Sequence, residues 1–237
     1  MKVGKKQLIF PKTLILTVVM TGLILMLSNI SVHAQTTTGL VQTHNSVKTP
    51  AQTDTAKGEI AIDARTGQII YQKNAQKKLP IASLSKLMTV YIVIQRIQAH
   101  ELSWNDKVKI SPQVAEISAI PGTTSAGLVS GREYTVRELC DAALIGSASG
   151  AAMALGQKIS GNSQAFADLM NQTAKKIGIK DATFYNASGL TNCGTHGLKL
   201  KNVPEMAVNT MSAKSVAILS KQLLHTDPKI LDITKQP

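Results

Sequence analysis

From Leu84 to Ile97 apolar side chains recur on every side of a helical wheel: Leu84, Leu87, Met88, Val90, Ile92, Val93, Ile94 and Ile97, with Tyr91 among them. A surface helix keeps a polar stripe, whereas one that is apolar all round belongs in the middle of a core. The run therefore predicts a central buried helix from about Ser83 to Ile97. Ahead of it, Glu59–Asp63 and Gln68–Tyr71 are short strand-like runs on either side of Ala64-Arg65-Thr66-Gly67, which predicts a β-hairpin. Residues 101–131 alternate short strand and turn signals. Thr135-Val136-Arg137-Glu138 is a capping box, so a helix is expected from there to about Gly146. A break at Ser147–Gly150 precedes a helix from Ala151 to Ile159, closed by Gly161.

A further helix is expected from about Ser163 to Gly178, with Phe166, Leu169, Met170, Ala174 and Ile177 on one stripe. Phe184–Leu190 reads as a strand or loop with a turn, and a last helix runs from about Ser212 to Pro228. The pattern is a mixed α/β chain: one hairpin, a helix-rich middle, and an ending with no further clear strand. Two strands alone do not make a stable sheet, so the antiparallel sheet looks incomplete at the C-terminus.

The N-terminus changes the picture. Lys2, Lys5, Lys6 and Lys12 precede the apolar stretch Leu14–Leu27, and Val32-His33-Ala34 puts small residues at the cleavage positions. This is the three-part pattern of a secretory signal peptide over residues 1–34, cleaved or retained as an anchor. The stretch is short for a spanning helix, which needs roughly 20 apolar residues. Residues 35–57 are rich in Thr and Gln and read as a flexible linker, leaving 58–237 as the folded domain.

The formal charge of the 237-residue chain is +12. Removing residues 1–34 takes away four lysines and no acidic residue, so the remainder stays strongly basic. Such a charge suits anionic wall polymers or lipid headgroups at a cell surface. Nucleic acid is the competing partner, but aromatics are only 3% of the chain and no nucleic-acid motif occurs, so none is expected. The five histidines are scattered singly, and no metal or other cofactor is indicated. Cys140 and Cys193 are too few for a disulfide scaffold; they could pair in an oxidising compartment, or Cys140 could be a buried apolar thiol.

Candidate chemistry sits at the mouth of the central helix. Ser83 and Lys86 are three positions apart, which on a helix stacks them on one face. An amine beside a hydroxyl in apolar surroundings is what an activated serine nucleophile needs. The tetrapeptide alone says little, since about one such match is expected by chance in a chain of this length. Its ordinary reading is a helix N-cap serine with a lysine reaching out to solvent.

The surrounding residues are more specific. The hairpin Ala61–Tyr71, the run Pro80-Ile81-Ala82-Ser83-Leu84-Ser85-Lys86-Leu87-Met88-Thr89, the break Ser147-Ala148-Ser149 and the segment Phe184-Tyr185-Asn186-Ala187-Ser188-Gly189-Leu190 follow one another in order. Together they resemble the serine-type D-alanyl-D-alanine carboxypeptidases, the low-molecular-mass penicillin-binding proteins, from about Gly58 to Pro237. The resemblance implies a serine β-lactamase/transpeptidase-like fold, with a helix-rich subdomain beside an antiparallel sheet. It implies Ser83 as nucleophile, Lys86 as its general base and Ser147 as a proton-passing hydroxyl. Ser149 stands where the family's second motif ends in Asn, which makes it the substrate-binding candidate with one fewer amide to offer.

No Lys-Thr-Gly follows the second motif, and Lys48-Thr49-Pro50 is no substitute. On this pattern the chain is expected to be an N-terminal portion of such an enzyme. The implied activity is removal of the terminal D-alanine from peptidoglycan stem peptides through an acyl-enzyme, with β-lactams as covalent inhibitors. An exported monomer at the cell wall or the outer face of the cytoplasmic membrane is expected. A catalytically impaired remnant and a β-lactamase on the same scaffold are the alternatives; the latter lacks an evident Glu for deacylation.

Overall fold

The architecture follows from burying α1 (Ser85–Gln98) on all sides. In the computed structural model, which describes residues 55–236, α1 packs against α3 (Val136–Leu144), α4 (Ser149–Ser160), α5 (Ser163–Lys176) and α6 (Ala213–Thr226). Met88, Val90, Ile92, Val93 and Ile94 are at most 2% exposed. They meet Leu139 of α3, Leu155 of α4, Met170 of α5 and Leu219 of α6 in one continuous core. Each large side chain of this kind contributes roughly 1.5–3 kcal/mol on burial, so the helical part is where the stability resides.

The helix starts are built as their sequences require. Thr135 and Glu138 complete the capping box of α3, with Glu138 N–H donating to Thr135 Oγ1 at 3.1 Å and Thr135 N–H to Glu138 Oε2 at 2.6 Å. Asn162 caps α5 and Ser212 caps α6 through their side-chain oxygens. In contrast α1 has no side-chain cap; a 3-10 turn, Ala82–Leu84, leads into it.

Among the described residues the strands are short and form three separate antiparallel pairs. β1 (Glu59–Ile62) pairs with β2 (Ile69–Lys73), with Ala61 opposite Tyr71 and a register shift before Ile62. β3 (Lys78–Pro80) pairs with β6 (Thr210–Ser212), and β4 (Lys107–Lys109) with β5 (Glu133–Thr135). The β3–β6 pair lies immediately before both the Ser83 turn and α6, so it joins the start of the site to the end of the chain.

Several expectations need correcting. The end of the chain does supply a strand, β6, which alternation could not reveal in three residues. Residues 101–131 include a helix, α2 (Pro112–Ser118), capped by Ser111 Oγ accepting from Val114 N–H at 3.3 Å. α4 begins at Ser149, not Ala151, and α6 stops at Thr226, with a short α7 (Ile230–Thr234) after it. Phe184–Leu190 is a loop with no strand. Cys140 is buried and Cys193 exposed, and both are free thiols. Burial, reinforced by the charge of Asp141, pushes the Cys140 thiol up to about 12, which makes it an inert packing group. The expected signal segment and all but the end of the expected linker lie outside the described residues. Among the described residues no helix is long and apolar enough to cross a membrane, and no metal-ligand cluster occurs.

Candidate active site

Three separate parts of the chain converge on the amine of Lys86. From one helical turn back, Ser83 presents its hydroxyl, with Lys86 Nζ 3.0 Å from Ser83 Oγ. Between α3 and α4, Ser147 brings its Oγ to 3.4 Å of the same nitrogen. From the loop after α5, the Ser188 carbonyl accepts from Lys86 Nζ at 2.9 Å. Ser83 is exposed, while Lys86 is 2% exposed, so the hydroxyl faces the opening and the amine lies beneath it. Neither half of the ordinary reading survives: Ser83 does not cap α1, and Lys86 does not reach solvent.

Burial alone draws the Lys86 amine down from 10.5 to about 8, because the charged form loses water and no carboxylate replaces it. Roughly a tenth of an amine titrating at 8 is neutral at pH 7, against roughly one part in 3,000 at 10.5. The three contacts suit a neutral amine. A carbonyl oxygen can only accept, so one N–H is committed to Ser188; the second N–H can go to Ser147, which leaves the lone pair for the Ser83 hydroxyl proton.

The backbone on both sides of the pair is strained. Ala82 has φ +42° and Ser147 φ +52°, left-handed conformations that an L side chain adopts at a cost of about 1–3 kcal/mol each. The Ala82 turn is held by Ser85 Oγ donating to Ala82 O at 2.6 Å. The Ser147 turn is held by Thr124, whose Oγ1 donates to Ser147 O at 2.6 Å. Gly189, at φ +88°, lies against the Ala82 carbonyl so closely that a Cβ there would sit 1.8 Å from its oxygen. Thr89, one turn beyond Lys86, donates to Ala187 O at 2.8 Å, so α1 grips the same loop twice.

Above the pair opens a cavity of ≈ 430 Å³, lined by Ser83, Lys86 and Ser147 together with Ile81, Leu84, Leu87, Ala143 and Leu144. Its walls are apolar and its polar groups converge on one point, as in a small-molecule site. Ser149 does not join them. It is 4% exposed at the first position of α4, it is not part of the cavity lining, and its N–H donates to Thr124 O at 3.2 Å. Sequence reasoning missed the Ser188 carbonyl and Thr124. A main-chain acceptor leaves no mark on residue type, and a loop threonine carries no pattern. Asn186, which matches a glycosylation sequon, is 3% exposed and spends its side chain inside its own turn.

A buried amine set between two serines at the floor of an apolar cleft can be compared with known proteins. The family model for D-alanyl-D-alanine carboxypeptidase, Peptidase S11, matches residues 43–237. The chain belongs to that family. Among curated relatives, D-alanyl-D-alanine carboxypeptidase DacF of Bacillus subtilis (strain 168) is 31% identical over 169 residues, covering 71% of this chain and 39% of DacF. D-alanyl-D-alanine carboxypeptidase DacC of Escherichia coli (strain K12) is 30% identical over 183 residues, covering 76% of this chain and 42% of DacC. The chain thus spans about two-fifths of the length of these relatives.

Solved structures agree on the fold. A peptidoglycan synthesis regulatory factor (PBP3) from Streptococcus pneumoniae superposes with a TM-score of 0.74 at 36% identity, over 77% of this chain and 49% of that one. Penicillin-binding protein D2 from Listeria monocytogenes, in its ampicillin-bound form, gives 0.64 at 31% identity, over 79% and 69%. The carboxypeptidase-family chain therefore has the mixed α/β, β-lactamase/transpeptidase-like fold that the motifs implied.

Proposed function

We propose that the protein carrying this chain is a serine D-alanyl-D-alanine carboxypeptidase that trims peptidoglycan stem peptides outside the cytoplasm, with Ser83 as its nucleophile. The observation that carries the reading is the 3.0 Å contact between Ser83 Oγ and a buried Lys86 amine drawn down to about 8. Family membership and the ampicillin-bound state of the Listeria protein support it.

Chemically, Ser83 Oγ attacks the carbonyl carbon of the penultimate D-alanine while its proton passes to the Lys86 lone pair. The tetrahedral oxyanion forms beside the start of α1, where backbone N–H donors aimed at it are worth about 2.7–4 kcal/mol each. Collapse breaks the C–N bond. The proton taken by Lys86 reaches the leaving amine through the Ser147 hydroxyl, which lies 3.4 Å from Lys86 Nζ. This leaves an ester on Ser83 and frees D-alanine. Water then attacks the ester carbonyl, giving a proton to Lys86, and collapse breaks the ester C–O bond as Lys86 returns that proton to Ser83 Oγ. A β-lactam follows the first half of this course, opening its ring to form an ester that hydrolyses slowly. The strongly positive charge of the chain and the N-terminal export pattern support action at the cell wall or the outer face of the cytoplasmic membrane.

Labelling with a fluorescent penicillin tests the reading. The parent protein is expected to take up one label covalently, and Ser83→Ala none. Equal labelling of the two would remove Ser83 from the mechanism.

A further inference from the structure

We propose that Asn209 is a positioning residue for the Ser83–Lys86 pair, tying the turn that bears Ser83 to the loop whose Ser188 carbonyl holds Lys86. That role takes its catalytic meaning from the carboxypeptidase reading above, but the way the pair is held does not depend on it. Asn209 precedes β6, lies far from the cavity mouth in sequence, and is fully buried. Its side chain is saturated. Nδ2 donates to Ser85 Oγ at 2.9 Å and to Asn186 O at 2.7 Å, while Oδ1 accepts from Tyr185 N–H at 2.7 Å and Asn186 N–H at 3.3 Å. Its main-chain oxygen also accepts from Ile81 N–H at 3.1 Å. A carboxamide has two donors and two acceptor sites, and all four are in use.

Two relays leave this residue. One runs through Ser85 Oγ to Ala82 O at 2.6 Å, the carbonyl of the strained residue next to Ser83. The other runs through Asn186, whose Oδ1 accepts from Ser188 N–H at 3.1 Å, Ser188 Oγ at 2.9 Å and Gly189 N–H at 2.8 Å. Asn186 thereby sets the angle of the Ser188 carbonyl on which Lys86 rests. Asn209 links a turn on one side of the amine to a loop on the other, and nothing in its own chemistry reacts. Without it, buried donors and acceptors on both segments lose their partners, a penalty that favours letting water in. The groups facing Lys86 are the hydroxyls of Ser83 and Ser147 and the Ser188 carbonyl, all uncharged. Its titration is therefore set by how well these segments exclude water, which makes it a gauge of Asn209.

The test compares parent, Asn209→Ala and Asn209→Leu, the last keeping much of the shape but losing every donor and acceptor without adding a charge. Leu219→Ala, a core change on α6, serves as a control for stability loss alone. The Lys86 side-chain carbon resonance, assigned by its absence in Lys86→Met, is titrated in each, and the rate of fluorescent-penicillin acylation per folded molecule is measured at pH 7. Both Asn209 variants are expected to raise the Lys86 midpoint by a unit or more. Their acylation rate is expected to fall about tenfold or more, in step with the lost neutral amine. Leu219→Ala is expected to lower the melting temperature and leave the midpoint unchanged. A midpoint near the parent's in both folded Asn209 variants overturns the role. A shifted midpoint in a protein whose parent form never acylates leaves the positioning role standing and counts against the carboxypeptidase reading instead.

Discussion

The α1 bundle and the β1–β2 hairpin obey the same rule of apolar placement with opposite results. Around α1, apolar residues are closed in from every side, and Met88, Val90 and Val93 have no exposed surface. On β2, Ile69, Ile70 and Tyr71 are 43%, 69% and 49% exposed, because a two-stranded ribbon covers little of itself. The polar site occurs where this buried helix meets a cleft, at the first turn of α1, with Lys86 buried beneath an exposed Ser83. A lysine set among exposed strands would keep its water and its charge. One set at the entrance to a dry core loses both in part, and becomes a base. The difference teaches that this chemistry is a by-product of core density, steered by a few carbonyls and hydroxyls.

Three changes grade that contrast. Gly189→Ala is expected to have the largest effect, since the new methyl would meet the Ala82 carbonyl at 1.8 Å and the backbone would be held at φ +88°. Displacing the Ser83 turn by about an ångström is expected to lower penicillin acylation on the order of 100-fold. A Gly189→Ala protein that acylates like the parent would show that the turn is not held by this contact. Leu155→Ala, in the middle of α4, is expected to destabilise by about 2–5 kcal/mol in a urea titration. Ile70→Thr, in the hairpin, is expected to change stability by less than about 0.5 kcal/mol. If Ile70→Thr were as damaging as Leu155→Ala, the hairpin would be part of the core and the contrast would fail.

The sequence made the same division, though unevenly. α1 was legible because a helix apolar on all faces has one physical solution, and the Thr135–Glu138 box fixed the start of α3 to the residue. β6 and α2 were not: three residues cannot display a period of two, and α2 is a single short helix with only Val114, Ile117 and Ser118 buried. At the site, Ser83 and Lys86 were named from their spacing and Ser147 from the family resemblance, and the structure brings all three side chains together. Ser149 was named with them and lies outside the cavity. What holds Ser83 and Lys86 in place was invisible, because Asn209 lies far beyond both in sequence and asparagine by itself suggests only a turn. The Ser188 carbonyl, belonging to the backbone, could not be read at all.

The central claim is that a neutral Lys86 amine takes the proton of Ser83. Because burial lowers this amine to about 8, it holds its proton below pH 7 and releases it as the pH rises through 8. The most direct measurement is the rate of penicillin acylation of the parent protein from pH 6 to 10, followed by the mass of the adduct on the Ser83 peptide. The rate is expected to rise about tenfold per pH unit below pH 7, bend near 8 and level off above 9. A rate that is flat across this range, or that climbs without a bend up to pH 10, would contradict the account.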